Sequence, residues 1–425
     1  MLPVFPLPFI ISKQTVKLYR AFVTREAHEN RRALRAATAL WATAVLFWVP
    51  SVIPAAPGRL IEVSHSETLA PSQIEGKVAT LFEGHPAPQA RYTVDAYLVR
   101  FQSLYPDDSA AVITAQLFVP RTAEQRQLPL YVFAPGTTGL VDACRPSREH
   151  IAGIHWGLYR SHLLAFAGKG TIGVLPDYTG FGDPDRIQPL FHARSEGRMM
   201  LDSVRAVHEF FAQHDAPVRP TAAAFLAGFS QGGHAAFAAA DLRDEYAPEV
   251  SLAGIIGYGA TTDMQVLFGE FPVVAPMVVH VFSEIYGAER FDPQQILQDR
   301  WLEQLDHHVT RQCIGAMQSY YPWSARDMFR PQFAEALLEG RLDDQFPEIH
   351  RILQRNSSGL SGHGIPALIL QGTEDIVIAP ESQQEFVTAL QARGSDVRYL
   401  VYEGEPHDTR QVGFADVLEW MHKGP

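Results

Sequence analysis

The sequence predicts an α/β protein: a mostly parallel central sheet with helices on both faces and a helical insertion late in the chain. Three observations predict it. First, short continuous apolar runs recur (Pro129 to Ala134, Thr171 to Pro176, Val250 to Tyr258, Pro366 to Gln371), the pattern of parallel strands buried on both faces. Second, helix-forming stretches separate them, notably Glu196 to Gln213. Third, this rhythm stops near Gly259, and residues 262–362 carry helical stretches and aromatics instead. An excursion of about 100 residues is too long for a loop and reads as an inserted cap.

In chain order, residues 1–35 are basic, ending in Arg31, Arg32 and Arg35. Ala36 to Val49 is apolar and free of charge, and Pro50, Pro54, Ala55 and Ala56 follow. A basic region, a short apolar run and a small-residue exit have the form of a secretory signal, and the run is short for a spanning helix, which needs about 20 residues. The expectation is export, secreted or periplasmic; a retained anchor through residues 36–53 or a peripheral helix are the alternatives. The stretch before Arg31 is long for a signal and leaves open a start downstream of Met1.

The body begins near Glu62. Ala90 to Phe101 and Ala110 to Val119 alternate apolar and polar residues, as half-buried antiparallel strands do. The run to Ala134 ends in the flexible loop Pro135 to Gly139. Ile154 to Ala167 reads as a helix, and the strand to Pro176 closes in Asp177 to Gly182, a Gly-rich turn. In the insertion, helices are expected over 263–268, 293–306, 330–340 and 346–355. Apolar residues between Phe268 and Tyr286 read as cap core, as an acyl-chain wall or as a lid that moves at an interface. After the strand to Gln371 come a helix over Ser382 to Arg393, a strand over Asp396 to Tyr402 and a closing helix over Arg410 to His422. The expected organisation is therefore 1–56 as leader, 57–261 and 363–425 as the two parts of the core, and 262–362 as the cap.

Composition narrows the class. In 425 residues, 46% hydrophobic and 19% charged content belong to a globular chain. A net charge of −12 argues against a nucleic-acid partner. Cys144 and Cys313 are enough for one bridge but too few for a cysteine zinc site. His307 and His308, adjacent in the cap, read as a solvated face before a metal pair, so neither metal nor cofactor is expected.

Chemistry concentrates at Gly228-Phe229-Ser230-Gln231-Gly232-Gly233. The short apolar run Pro220 to Ala227 precedes it and helix formers follow, so a strand, a sharp turn and a helix meet at Ser230. That is the context of a nucleophile elbow, in which small flanking residues let the turn close and lift the serine hydroxyl above the sheet. A Gly-rich turn carrying an ordinary serine is the plainer reading. Acyl transfer by serine also needs a base and a carboxylate to orient it. In the α/β-hydrolase layout these follow in the order Ser, Asp or Glu, His, at strand ends. Asp375 lies after one strand and His407 after the next, which fits; Glu374 is the competing acid. A polar turn and a surface histidine are the plainer readings. A developing oxyanion needs two donors. The Gln231 N–H is one, and the loop after Ala134 should supply the other, from Thr137, with Gly136 and Thr138 as alternatives. His234, one turn beyond Ser230, suits packing or a supporting hydrogen bond. Gly359 to Gly362 imitates an elbow but meets His363 where a glycine is needed, and reads as a linker.

The residues from Gly228 to Ala235, with Tyr246 to Val250, Pro135 to Gly139, Cys144 to Ser147, Asp177 to Phe181, Glu374 to Val377 and Glu405 to His407, resemble the Candida-type secretory lipases and their bacterial relatives. The resemblance spans roughly residues 80–420 in the family's order. It implies an α/β-hydrolase core with a helical cap between nucleophile and acid, hydrolysis of carboxylic esters without a cofactor, and a small-molecule ester or lipid substrate; another acyl hydrolase on the same core (a peptidase or acyltransferase), or a non-catalytic binding protein of this fold, are the alternatives. Transient contact of the cap with a lipid interface follows from reading its apolar segment, Phe268 to Tyr286, as a lid. The family joins the loop after the oxyanion strand to the cap by a disulfide, so the resemblance implies a Cys144–Cys313 bridge. Such a bridge would stabilise an exported chain by about 2–5 kcal/mol. Two departures stand out: the family's second disulfide, near the histidine, has no cysteines here, and Thr137 occupies an oxyanion position that is acidic in the best-known member.

Overall fold

Among the described residues, nine strands form one sheet, in sequence order except that the fifth lies between the third and the fourth. The computed structural model describes residues 56–153 and 156–424. The expected leader over 1–56 lies outside the described residues but for Ala56, as do the first two residues of the helix expected from Ile154. The strands are β1 (Leu60–Leu69), β2 (Val94–Leu104), β3 (Ala110–Pro120), β4 (Arg126–Ala134), β5 (Ile172–Pro176), β6 (Val218–Phe229), β7 (Ser251–Tyr258), β8 (Ala367–Gly372) and β9 (Val397–Tyr402). Pairings β1–β2, β2–β3 and β3–β5 are antiparallel, and those from β5 through β4, β6, β7 and β8 to β9 are parallel.

The period of two along each parallel strand splits the core into two layers. Leu130, Val132, Ala224, Leu226, Ala367 and Ile369 face one way, beneath helices α3 (Ala193–Gln213), α4 (Gln231–Tyr246) and α9 (Pro380–Ala392). Tyr131, Phe133, Phe225, Ala227, Leu368 and Leu370 face the other, against α1 (Pro71–Val78), α2 (Tyr159–Gly168) and α10 (Phe414–Lys423). Helices on both faces explain why these strands read as unbroken apolar runs.

Between β7 and β8 the chain leaves the sheet. Its longer helices there are α5 (Met264–Glu270), α6 (Ala275–Tyr286), α7 (Pro331–Leu338) and α8 (Pro347–Arg355). Phe268, Phe271, Val274, Met277, Val278, Val281 and Phe282 are buried in a third cluster that also takes in Leu140, Leu190 and Phe191 from the core. The apolar segment is thus packed interior of the insertion. Among the described residues, no single helix is long and apolar enough to cross a membrane.

Five details differ from expectation, the first being that the helix expected over Ile154 to Ala167 begins only at Tyr159. Strand β1 and helix α1 were not legible. Strand β1 is an edge strand with mostly exposed side chains, so no apolar face marks it. Strand β3 is buried on both faces from Ile113 onward, not half-buried. The helix expected over 293–306 is broken into short turns, because Leu297 forms an antiparallel bridge with Phe329 and the Gln298 N–H donates to the Met328 carbonyl. The closing helix starts at Phe414, not Arg410, whose guanidinium is held by Asp408.

Candidate active site

Strand β6 runs directly into α4 through Ser230, which adopts φ +55° and ψ −117°. A side chain other than glycine rarely accepts such a conformation, and residues held there tend to lie at functional sites. The turn is closed by the Ser230 N–H to the Tyr258 carbonyl (2.9 Å) and the Gly233 N–H to the Ser230 carbonyl (2.9 Å). A Cβ at Gly228 would fall 2.0 Å from the Gly232 backbone, and one at Gly232 would fall 1.9 Å from the Ala134 carbonyl oxygen. The glycines therefore let the turn close and bring the loop after β4 against the first turn of α4. Gln231, fully buried, is the first residue of that helix, where a backbone N–H has no helical carbonyl to bond.

That loop is fixed from two sides. The Tyr178 hydroxyl donates to the Pro135 carbonyl (2.6 Å), and the Ile314 N–H of the insertion donates to the Thr138 carbonyl (2.8 Å). Gly139 pairs with Cys313 in an antiparallel bridge, and Cys144 and Cys313 are joined by a disulfide. Thr137 is half-buried between these anchors, whereas Thr138 is fully buried. Of the alternatives to Thr137, Gly136 packs against Tyr159, whose hydroxyl a Cβ there would approach to 2.9 Å.

Asp375 and His407 meet at the C-terminal ends of the adjacent parallel strands β8 and β9. His407 Nδ1 lies 2.8 Å from Asp375 Oδ2. Asp375 Oδ1 accepts from the Val377 N–H (2.8 Å) and the Ile378 N–H (3.0 Å), and Oδ2 also accepts from Gln371 Nε2 (3.0 Å). Burial opposes ionisation of Asp375, but the hydrogen bond and charge of His407 and the two amides outweigh it and hold the carboxyl below its ordinary value. A carboxylate so placed leaves Nδ1 as the donor and Nε2 as the free ring nitrogen. Nε2 is buried without a hydrogen-bond partner among the described residues, and the ring packs on Phe229, the neighbour of Ser230, at 4.9 Å. The competing acid, Glu374, is exposed.

The His407 loop is itself clamped. Arg410, fully buried, donates to Asp408 through Nε (2.8 Å) and Nη2 (2.5 Å) and to the Gly157 carbonyl (2.7 Å), and its guanidinium lies 4.9 Å from the Phe229 ring. Gly259, at φ +50°, leaves room for the imidazole: a Cβ there would lie 2.7 Å from Nδ1. His234 forms a buried network with Glu196. In the sequence Glu196 reads only as the start of a helix, because an acid in a helical stretch reads as solvated surface. His307 is exposed, and no group of residues that could hold a metal occurs among the described residues. Residues 359–362 form a loop whose Gly359 and Ser361 N–H groups donate to Asp241.

A mostly parallel sheet flanked by helices, with a strained serine at a strand-to-helix turn, defines an α/β-hydrolase fold. The chain belongs to the secretory lipase family, whose model matches residues 151–423, and is on that footing a hydrolase. Among solved structures it resembles the rice cell wall degrading esterase LipA from Xanthomonas oryzae (18% identity, TM-score 0.68, covering 87% of this chain and 96% of that one). It also resembles a putative hydrolase from Legionella pneumophila (13%, TM-score 0.69, 86% and 98%) and Candida antarctica lipase A in its closed state (16%, TM-score 0.62, 87% and 82%). No curated protein matches the sequence.

Proposed function

We propose that the chain is an exported serine carboxylesterase or lipase that works through an acyl-enzyme. Ser230 attacks the ester carbonyl, His407 takes its proton and later returns it to the leaving alcohol, and Asp375 holds the imidazole with Nε2 free. The Gln231 and Thr137 N–H groups stabilise the oxyanion. Residues 262–362 act as a cap over the site, and exposed Tyr320 and Trp323 give it apolar surface for contact with a lipid interface. The observation that carries the reading is the 2.8 Å contact of His407 with a buried carboxylate, beside a serine held at φ +55°. Membership of the secretory lipase family supports both the ester chemistry and the export.

Hydrolysis of p-nitrophenyl esters from acetate to palmitate, by wild type and Ser230→Ala, tests this. We expect turnover that Ser230→Ala abolishes. A short-chain optimum marks an esterase, and a long-chain optimum rising above the substrate's solubility limit marks a lipase. Absence of turnover on every ester, or full activity in Ser230→Ala, overturns the reading.

A further inference from the structure

Glu196 lies in the first turn of α3 and is almost fully buried. Its Oε1 accepts from the Gln231 side-chain Nε2 (2.6 Å) and from the Phe191 N–H (2.8 Å). Its Oε2 lies 2.6 Å from His234 Nδ1. On the other side of that ring, His234 Nε2 lies 2.6 Å from the Asn356 carbonyl. A carbonyl only accepts, so Nε2 carries a proton, and the contact with the carboxylate holds a second one. The Glu196–His234 pair is therefore neutral as a unit. Asn356, just past α8, in turn accepts from the Ala193 N–H (3.2 Å) and donates to the Tyr286 hydroxyl (2.8 Å), joining the network to the insertion.

Two of the four non-glycine residues with positive φ among the described residues touch this network. Phe191, at φ +56°, is bonded to Glu196 and packs edge-on to His234 at 5.2 Å. Ser230 is bonded in sequence to Gln231. Strained conformations persist only where their surroundings over-determine them.

We infer that Glu196 is a positioning residue for the oxyanion turn: by holding the Gln231 side chain it fixes the direction of the Gln231 N–H, while His234 balances its charge. The inference rests on the proposed role of Ser230 and Gln231. The anchor matters because a donor out of line with the developing oxygen loses most of its worth. The balance matters because an uncompensated carboxylate bonded to the Gln231 side chain would oppose an anion developing at the Gln231 N–H. A Gln at 196 can still accept from the Gln231 amide and from the Phe191 N–H; a Leu can do neither.

The test is a double-mutant cycle on p-nitrophenyl butyrate hydrolysis. Gln231→Ala keeps the backbone donor and removes only the anchor. We expect Gln231→Ala and Glu196→Leu each to lower kcat about 10- to 100-fold with little change in KM, below the loss on deleting a donor outright. The double variant should be no worse than either single one, and Glu196→Gln should retain most of kcat. If Glu196→Leu does not fold, Gln231→Ala and Glu196→Gln still decide. Wild-type kcat in Gln231→Ala, or losses that multiply in the double variant, overturns the inference. Ser230→Ala separates the two levels. If it is inert while Gln231→Ala is unimpaired, only the positioning role fails; if it is active, the site assignment fails as well.

Discussion

At Asp375, three kinds of donor converge on one carboxylate: an imidazole, two backbone amides and the Gln371 side chain. An amide in its place could keep the backbone bonds but would present an N–H, or a weaker acceptor, to His407. Asp375→Asn should therefore lower kcat by about 10⁴ through the wrong imidazole tautomer, with the fold retained. Circular dichroism and ester kinetics on the same sample check this, and kcat within tenfold of wild type would remove Asp375 from the proposed role. Asp375 was legible as a candidate because it follows a strand and precedes His407 by one further strand. Glu374 remained the competing acid, and three-dimensional structure separates the buried residue from the exposed one. Glu196 and Arg410 were not legible, because burial of a charged side chain depends on partners distant in sequence, such as Gln231, His234 and Gly157.

The parallel strands, and the flanking helices other than α1, followed from local pattern, since burial on both faces leaves an unbroken apolar run. Strand β1 gave no such signal, and the helix expected over 293–306 lost to a tertiary bridge at Leu297. The loop after β4 is the element on which most constraints fall: a tyrosine beneath, a backbone bridge to the insertion, and the disulfide beside it. The two cysteines stand 169 residues apart. A cross-link closing so long a loop removes on the order of 5 kcal/mol of unfolded-chain entropy, as an upper figure. Reduction should accordingly lower stability by several kcal/mol. Denaturant melts with and without dithiothreitol measure it, and coincident curves would show that the backbone bridge alone holds the loop.

Across the whole molecule, buried ionisable groups set how stability depends on pH. Burial pushes the Asp177 carboxyl up to about 7, against the hydrogen bonds from Ser147. The unfolded chain releases that proton near pH ~4. Between those values the folded state holds more protons, so this group's contribution falls as pH rises from about 4 to about 7 and is constant above. Asp202, pushed up to about 6 by burial, acts in the same direction. His192, held down to about 4 by burial, acts in the opposite one, because the unfolded chain takes up its proton first. Subtraction isolates Asp177: the stability of wild type minus that of Asp177→Asn should decline across that window and then level off. A difference that is flat with pH would show that Asp177 is ionised in the fold throughout.

The order of the strands also has a kinetic meaning. Ser230 arrives in the middle of the chain, but the partners proposed for it are synthesised much later: β8 and β9 are made only after the insertion, and His407 after both. A ribosome paused before residue 396 would hold a chain with the serine turn in place, no histidine beside it, and β8 as a bare parallel edge. Long-range parallel pairing of this kind closes slowly and leaves apolar edges open meanwhile. With the proposed roles, the last thirty or so residues would finish the chemistry and seal the sheet in one step, and a truncated chain would be both inert and prone to stick to its own kind.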